Sequence, residues 1–258
     1  MAKEAPSPSL ASMSDQQFAG RVALVTGGSG GIGAELSARL ADAGAAVAVH
    51  YATNRDAADK VAGGIVEARG RATVIGANLG EADAPDQLID AVERDLGPVD
   101  VLAANAGLSR PGSYEDVDAT AFDETLAVNL RAPYLLARRV LPGMRERRFG
   151  RILFTSSVAA LTGGIIGPHY ASSKAGLHGL THFLATRAAP DGVTVNAIAP
   201  ALIEETGMLP GDPGELAKHV PVGRLGTPRE VADLALAVLS NGYLTNQVVS
   251  VDGGIHPG

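Results

Sequence analysis

The chain turns on residues 22–33, Val22-Ala23-Leu24-Val25-Thr26-Gly27-Gly28-Ser29-Gly30-Gly31-Ile32-Gly33. The first five form a short apolar, β-favouring run ending in glycines, and the stretch from Ile32 to Ala43 repeats its apolar residues at helical spacing. This is strand, turn, helix. Amides at the start of such a helix have no internal partners and can receive a pyrophosphate. The glycines have separate tasks: one permits the tight turn, one lets the backbone approach the phosphates, and one allows close helix packing. Glycine-rich turns also occur where nothing binds, so the position directly after the first strand carries the weight.

The cycle repeats along the chain. Strands are expected at Ala46–His50, Ala72–Ala77, Asp100–Ala104, Arg151–Thr155, Val193–Ala199 and Gln247–Val251. Helices are expected at Arg55–Arg69, Pro85–Leu96, in a long run ending near Arg147, around Tyr170 and at Pro228–Ser240. Seven strands alternating with helices predict an α/β fold, with right-handed crossovers onto a seven-stranded parallel sheet covered on both faces. No composition break divides residues 18–258. Residues 1–17, rich in Pro, Ser and Ala and without a signal peptide's basic start and apolar core, read as a disordered tail. From Glu204 to Val222 the chain is rich in Gly, Pro and charge, which predicts a movable lid over about 201–222, with a passive surface loop as the alternative.

Composition sets limits. Of 258 residues, 46% are hydrophobic and 19% charged, as suits buried strands alternating with small-residue helices. No run reaches ~18 apolar residues, so no membrane span is expected. The net charge of −7 argues against a nucleic-acid binder. The basic run Arg145 to Arg151 suits the solvated C-terminal end of a helix. Absent cysteine removes disulfide and thiolate chemistry and is compatible with a reducing compartment. A cytoplasmic location is the expectation.

Tyr170 and Lys174, in Tyr170-Ala171-Ser172-Ser173-Lys174, are four residues apart at the start of an apolar helical run. On a helix their Cβ atoms would lie about 5–6 Å apart on one face. A nearby cation stabilises a phenolate and lowers its pKa toward the working range of a general acid or base. Alone the pair has little weight. With the spacing Thr26-Gly27-x-x-x-Gly31-x-Gly33, however, it resembles the short-chain dehydrogenase/reductase family over roughly Phe18 to Gly254, most nearly the 3-oxoacyl-acyl-carrier-protein reductases. That resemblance implies a single Rossmann-type three-layer domain.

It also assigns roles. Ser157, at the end of the fifth strand, would polarise a substrate carbonyl, Tyr170 would exchange the proton, and Lys174 would lower the phenol's pKa and bind ribose hydroxyls. Asn129, an amide inside the apolar run Leu126 to Leu130, needs buried partners. It either satisfies core backbone or helps hold a water relaying protons from Lys174, and Pro133 four residues on should open its carbonyl to that water. Ser156 is expected to be structural. His178 and His182 share a helix face without further ligands, so no metal site is expected. Ala171, Ala175 and Gly179 would allow close helix approach, and the resemblance implies a homotetramer.

The cofactor residues follow the same comparison: Gly27, Ser29, Gly30, Gly31, Ile32 and Gly33 in the turn; Tyr51, Asn54 and Arg55 after the second strand; Asn78 and Leu79 beside the adenine; Asn105, Ala106 and Gly107 near the adenosine ribose; and Pro200, Ile203 and Thr206 at the nicotinamide. Tyr170 and Lys174 belong to this set too. A carboxylate after the second strand would repel a 2′-phosphate. Tyr51 stands there instead, while Asn54 and Arg55 offer donors, so NADP(H) is favoured, with NAD(H) as the alternative. Gly30, where many NADP-preferring relatives carry Arg, argues the other way. Ala104 and Ala201 replace an Asn and a Gly usual in the family.

The expected activity is NADPH-dependent reduction of a ketone, most nearly a 3-oxoacyl thioester to its 3-hydroxyacyl product. An NAD-dependent secondary-alcohol or sugar dehydrogenase is the first alternative, and a nonenzymatic dinucleotide sensor the second. An acidic acyl carrier would need basic docking residues. Arg138, Arg139, Arg145 and Arg147 are available, and they also read as ordinary surface charges.

Overall fold

The computed structural model describes residues 16–256. Most of the expected tail, residues 1–15, lies outside them. The elements are β1 (Val22–Val25), α1 (Gly31–Asp42), β2 (Ala46–Tyr51), α2 (Arg55–Glu67), β3 (Arg71–Gly76), α3 (Ala84–Asp95), β4 (Val101–Ala104), α4 (Ala119–Leu126), α5 (Ala132–Glu146), β5 (Gly150–Thr155), α6 (Ala159–Thr162), α7 (Pro168–Ala188), β6 (Val193–Pro200), α8 (Pro213–Ala217), α9 (Pro228–Ser240) and β7 (Val248–Val251). Every expected strand is present, with ends shifted by a residue or two.

The seven strands pair in parallel in the order β3-β2-β1-β4-β5-β6-β7. This is a Rossmann-type three-layer α/β fold. Successive side chains leave a strand on opposite faces, and β1 shows it directly: Val22 and Leu24 enter one apolar cluster, Ala23 and Val25 the other. The first cluster packs under α3, α5 and α7 and the second under α1, α2 and α9. Strand order reverses between β1 and β4, and ligands of open α/β sheets bind beyond the strand C-termini at such a point.

The long helical run after β4 is divided. Residues Ala127–Arg131 form a π-helical turn between α4 and α5, with the Ala132 amide donating to the Ala127 carbonyl. Pro133 explains its place, because it has no N–H to give the carbonyl of Asn129 four residues back. The expected lid also differs in part: it contains α8, whose N-cap Asp212 accepts from the Glu215 amide.

Candidate active site

A cavity of about 400 Å³ runs from the glycine turn, past Asn105, Ala106 and Gly107, to Ser157, Tyr170 and Lys174 and on to Pro200, Ile203 and Thr206. Its glycine end is tightly stitched. The Thr26 hydroxyl oxygen accepts from the amides of Asn105 and Ala106 at 3.0 and 2.9 Å, joining the ends of β1 and β4. The Asn105 side-chain Nδ2 donates back to the Thr26 carbonyl at 3.1 Å, and Thr155 donates to Asn105 Oδ1 at 3.3 Å. Gly27, Gly30, Gly31 and Ile32 line the cavity. Gly33 does not; it is buried beneath the turn, where an added Cβ would stand 2.1 Å from the Gly27 carbonyl oxygen. No side chain fits there. Gly27 itself has φ +65°, a left-handed conformation that suits glycine.

His50, which the sequence did not mark as a site residue, props this turn. The Gly27 amide donates to His50 Nδ1 at 3.0 Å, and His50 Nε2 lies 3.0 Å from the Ala77 carbonyl. An amide only donates and a carbonyl only accepts, so the ring is the neutral Nε2–H tautomer. Burial outweighs the carbonyl contact and pushes its pKa down to about 4. One polar residue in the otherwise apolar β2 was the available signal.

The remaining expected cofactor residues lie at the edges. Ser29, Tyr51, Asn54, Arg55, Asn78 and Leu79 do not line the cavity. Asn54 caps α2, its Oδ1 accepting from the Ala57 amide at 3.0 Å. Arg55 is largely exposed and donates to Asp59 at 3.3 Å; Asp59 and then Tyr51 raise its pKa. Asn78 closes a turn by accepting from the Gly80 amide and donating to Glu81. Leu79 is buried in the core cluster under α3 and α5.

Tyr170 and Lys174 lie in the first turns of α7, which starts at Pro168, and both are buried. Lys174 Nζ donates to the Thr155 carbonyl at 2.8 Å and stands 5.6 Å from the centre of the Tyr170 ring. Burial depresses the lysine pKa to about 8. Burial also raises the phenol, with Ser157 pulling it partly back. Instead of the net lowering by Lys174 expected from the sequence, desolvation wins, and the phenol is protonated at neutral pH. Ser157 accepts from the Ala159 amide at 3.1 Å, which leaves its own proton free to donate.

Neighbouring groups hold this set in place. Ser156 lies 3.0 Å from the Lys174 carbonyl and 2.8 Å from His178 Nε2. Its single proton goes to the carbonyl, so His178 donates to it and the pair is no Ser-His nucleophile. His182 contacts Asn246 at 2.7 Å, and among the described residues no three His, Cys, Asp or Glu gather to hold a metal ion. Asn129 is fully buried and committed: Oδ1 accepts from the Leu108 amide at 2.7 Å, and Nδ2 donates to the Leu108 carbonyl and to Ser173. Its main-chain carbonyl lacks an i→i+4 partner, because Pro133 has no N–H. On α7 the close approach is made by Gly176 against Leu130, whereas Gly179 faces open space.

The far end of the cavity is apolar, lined by Val158, Ile165, Ile166, Met208, Leu209 and Ile255. These come from three separated segments and share no sequence signal. The Thr206 hydroxyl lies 3.1 Å from the Ile203 carbonyl, and Thr206 Cα would be 3.4 Å from a Cβ on Gly31, so the lid touches the glycine turn. The candidate docking arginines do not surround this mouth. Arg139 pairs with Asp90 and Glu93, Arg145 with Asp191 and Arg147 with Asp100. The last two lie beside the starts of β4, β5 and β6, at the end of the sheet opposite the cavity.

Residues 21–213 match the family model of the short chain dehydrogenases. The chain belongs to that family, and its class is NAD(P)-dependent oxidoreductase. It is 37% identical over 241 residues to an acetoacetyl-CoA reductase of Shinella zoogloeoides, covering 91% of this chain and 98% of the relative. It is 35% identical to the 3-oxoacyl-[acyl-carrier-protein] reductase FabG of Aquifex aeolicus strain VF5, covering 92% and 97%. The crystal structure of the angucycline C-6 ketoreductase LanV with bound NADP superposes with a TM-score of 0.85 at 30% identity, over 93% of this chain and 96% of that one.

Proposed function

We propose that the protein is an NADPH-dependent carbonyl reductase that converts a 3-oxoacyl thioester into the 3-hydroxyacyl product. The observation that carries the reading is that one cavity brings together the buried Tyr170 phenol, the Ser157 hydroxyl and the buried Lys174 amine. The relatives named for acetoacetyl-CoA and 3-oxoacyl reduction support the substrate class. The cofactor would be held by the glycine turn, Asn105 to Gly107, Tyr170, Lys174, Pro200, Ile203 and Thr206, with Ser29, Tyr51, Asn54, Arg55, Asn78 and Leu79 toward the adenosine end. The glycine turn, which lines the cavity with Gly27, Gly30 and Gly31 and holds Gly27 at φ +65°, fits such a group. Tyr51, Asn54 and Arg55 in place of a carboxylate favour the 2′-phosphate form, as does the NADP in LanV.

When bound, the dinucleotide supplies a hydride to the ketone carbon. Ser157 donates a hydrogen bond to the carbonyl oxygen and stabilises the charge that develops there. Tyr170 gives its proton to that oxygen, so the ketone becomes an alcohol and the phenol a phenolate. Lys174 stabilises the phenolate and returns a proton, drawing on a water at the Asn129 carbonyl. Closure of residues 201–222 would exclude bulk water. Arg139, Arg145 and Arg147, already ion-paired, lend no support to docking of an acidic carrier. A tetramer assembled through α5 and α7 is supported by the exposed Tyr134 and Phe183 on those helices.

The test is turnover of a 3-oxoacyl thioester with NADPH and with NADH, in the wild type and in Tyr170→Phe. Expected are a preference for NADPH and a loss of about 10³-fold in kcat in the variant with NADPH binding retained. Equal activity in the variant would remove the proposed acid, and a preference for NADH would overturn the cofactor assignment.

A further inference from the structure

The cavity presents a polar group that the steps above leave unused. Most of its polar side chains are committed within the protein. Asn105 and Thr155 bind each other, and Ser156 is held by Lys174 and His178. Thr162 reaches the Val158 carbonyl and the Gly164 amide, and Thr206 the Ile203 carbonyl and the Met208 amide. Beyond Ser157, Tyr170 and Lys174, this leaves His219, a solvent-exposed residue that lines the cavity from the lid just after α8. Only its main-chain amide is bonded, to the Leu216 carbonyl; no hydrogen bond involves its ring.

A 3-oxoacyl thioester carries two carbonyl oxygens on alternate carbons. Ser157 and Tyr170 serve the ketone oxygen. On that reading the second would enter the apolar part of the cavity, walled by Ile166, Met208, Leu209 and Ile255, where a carbonyl without a donor loses its hydrogen bond from water. We propose that His219 donates a ring N–H to the thioester carbonyl and so selects 3-oxoacyl substrates over simple ketones. The assignment rests on the substrate reading proposed above. His219 is then a specificity-determining residue, and its contact forms with substrate in place beneath the lid.

The experiment compares the full-length wild type, His219→Ala and His219→Gln with NADPH, on a short 3-oxoacyl N-acetylcysteamine thioester and on a methyl ketone of matched length without the second carbonyl. Removing one donor to a neutral carbonyl should raise KM for the thioester about tenfold in His219→Ala and leave the ketone unchanged. Glutamine, which keeps an N–H donor, should restore most of the loss. NADPH affinity, read by fluorescence titration, should be equal in all three. A wild type that reduces the thioester, with His219→Ala at the same KM or with both substrates affected equally, overturns the role of His219 alone. A wild type that reduces the ketone but not the thioester overturns the substrate reading and this assignment with it.

Discussion

The two ends of the cavity are built differently. The glycine end is a closed set of hydrogen bonds among Thr26, Gly27, His50, Asn105 and Thr155, all at the tips of neighbouring parallel strands. The substrate end is an apolar wall contributed by α6, the loop before α7, the lid and the C-terminal segment. In the lid, Leu202 and Glu205 hold φ at +50° and +56°, a region costly for residues with a Cβ. Directional bonds between rigid strand ends fix one geometry. Apolar contact between loops tolerates several shapes, so the first end suits an invariant coenzyme and the second a variable substrate.

Substitutions at the rigid end should therefore cost most. Gly33→Ala forces a methyl group against the Gly27 carbonyl and should weaken dinucleotide binding by more than about hundredfold, because the turn must shift to admit it. Fluorescence titration with NADPH measures this, and unchanged affinity would erase the contrast.

Lys174→Met tests the junction of the two ends. Its folded pKa, about 8, lies below the free value of 10.5, so between these values the unfolded chain binds more protons and stability rises with pH. At neutral pH the protein bears the cost of a buried ammonium. Methionine should cut kcat about hundredfold while raising stability by about 1–3 kcal/mol, read from urea unfolding at pH 7. A destabilised variant would show that the bond to the Thr155 carbonyl outweighs desolvation.

The smallest effect concerns pH at His50. Its pKa is about 4 in the fold and 6.5 free, so the unfolded chain takes up the extra proton as pH falls from 6.5 to 4. Stability should decline across that window by on the order of 2–3 kcal/mol, present in full above 6.5. Urea unfolding at pH 7 and pH 5 should show the decline in the wild type and a smaller one in His50→Gln. Equal declines would remove His50 as the cause.

Much of this was legible in the chain. Apolar runs separated by glycine turns announced the parallel sheet, because a strand buried on both faces has little room for polar residues. The pairing of Tyr170 with Lys174 was legible because helix spacing is local. Other features were not. Leu79 packs in the core cluster, which no local pattern announced, since its side-chain direction depends on how α3 and α5 close over the sheet. Arg145 and Arg147 read either as docking charges or as ordinary surface charges, and their partners Asp191 and Asp100 approach them only through the fold.

By itself, the sequence determined the alternation of elements, the parallel sheet, the glycine turn and the one-turn spacing of Tyr170 and Lys174, because these rest on periodicity and short-range geometry. Tertiary structure decided that His50 supports the turn, that Asn129 spends its amide on Leu108 and Ser173, that burial pushes the Tyr170 phenol pKa up, and that His219 alone among the lid's cavity-lining polar side chains has a ring with no hydrogen bond to the protein. Each depends on atoms brought together from distant parts of the chain. Burial and hydrogen-bond partners, unlike residue type, exist only once those parts have packed.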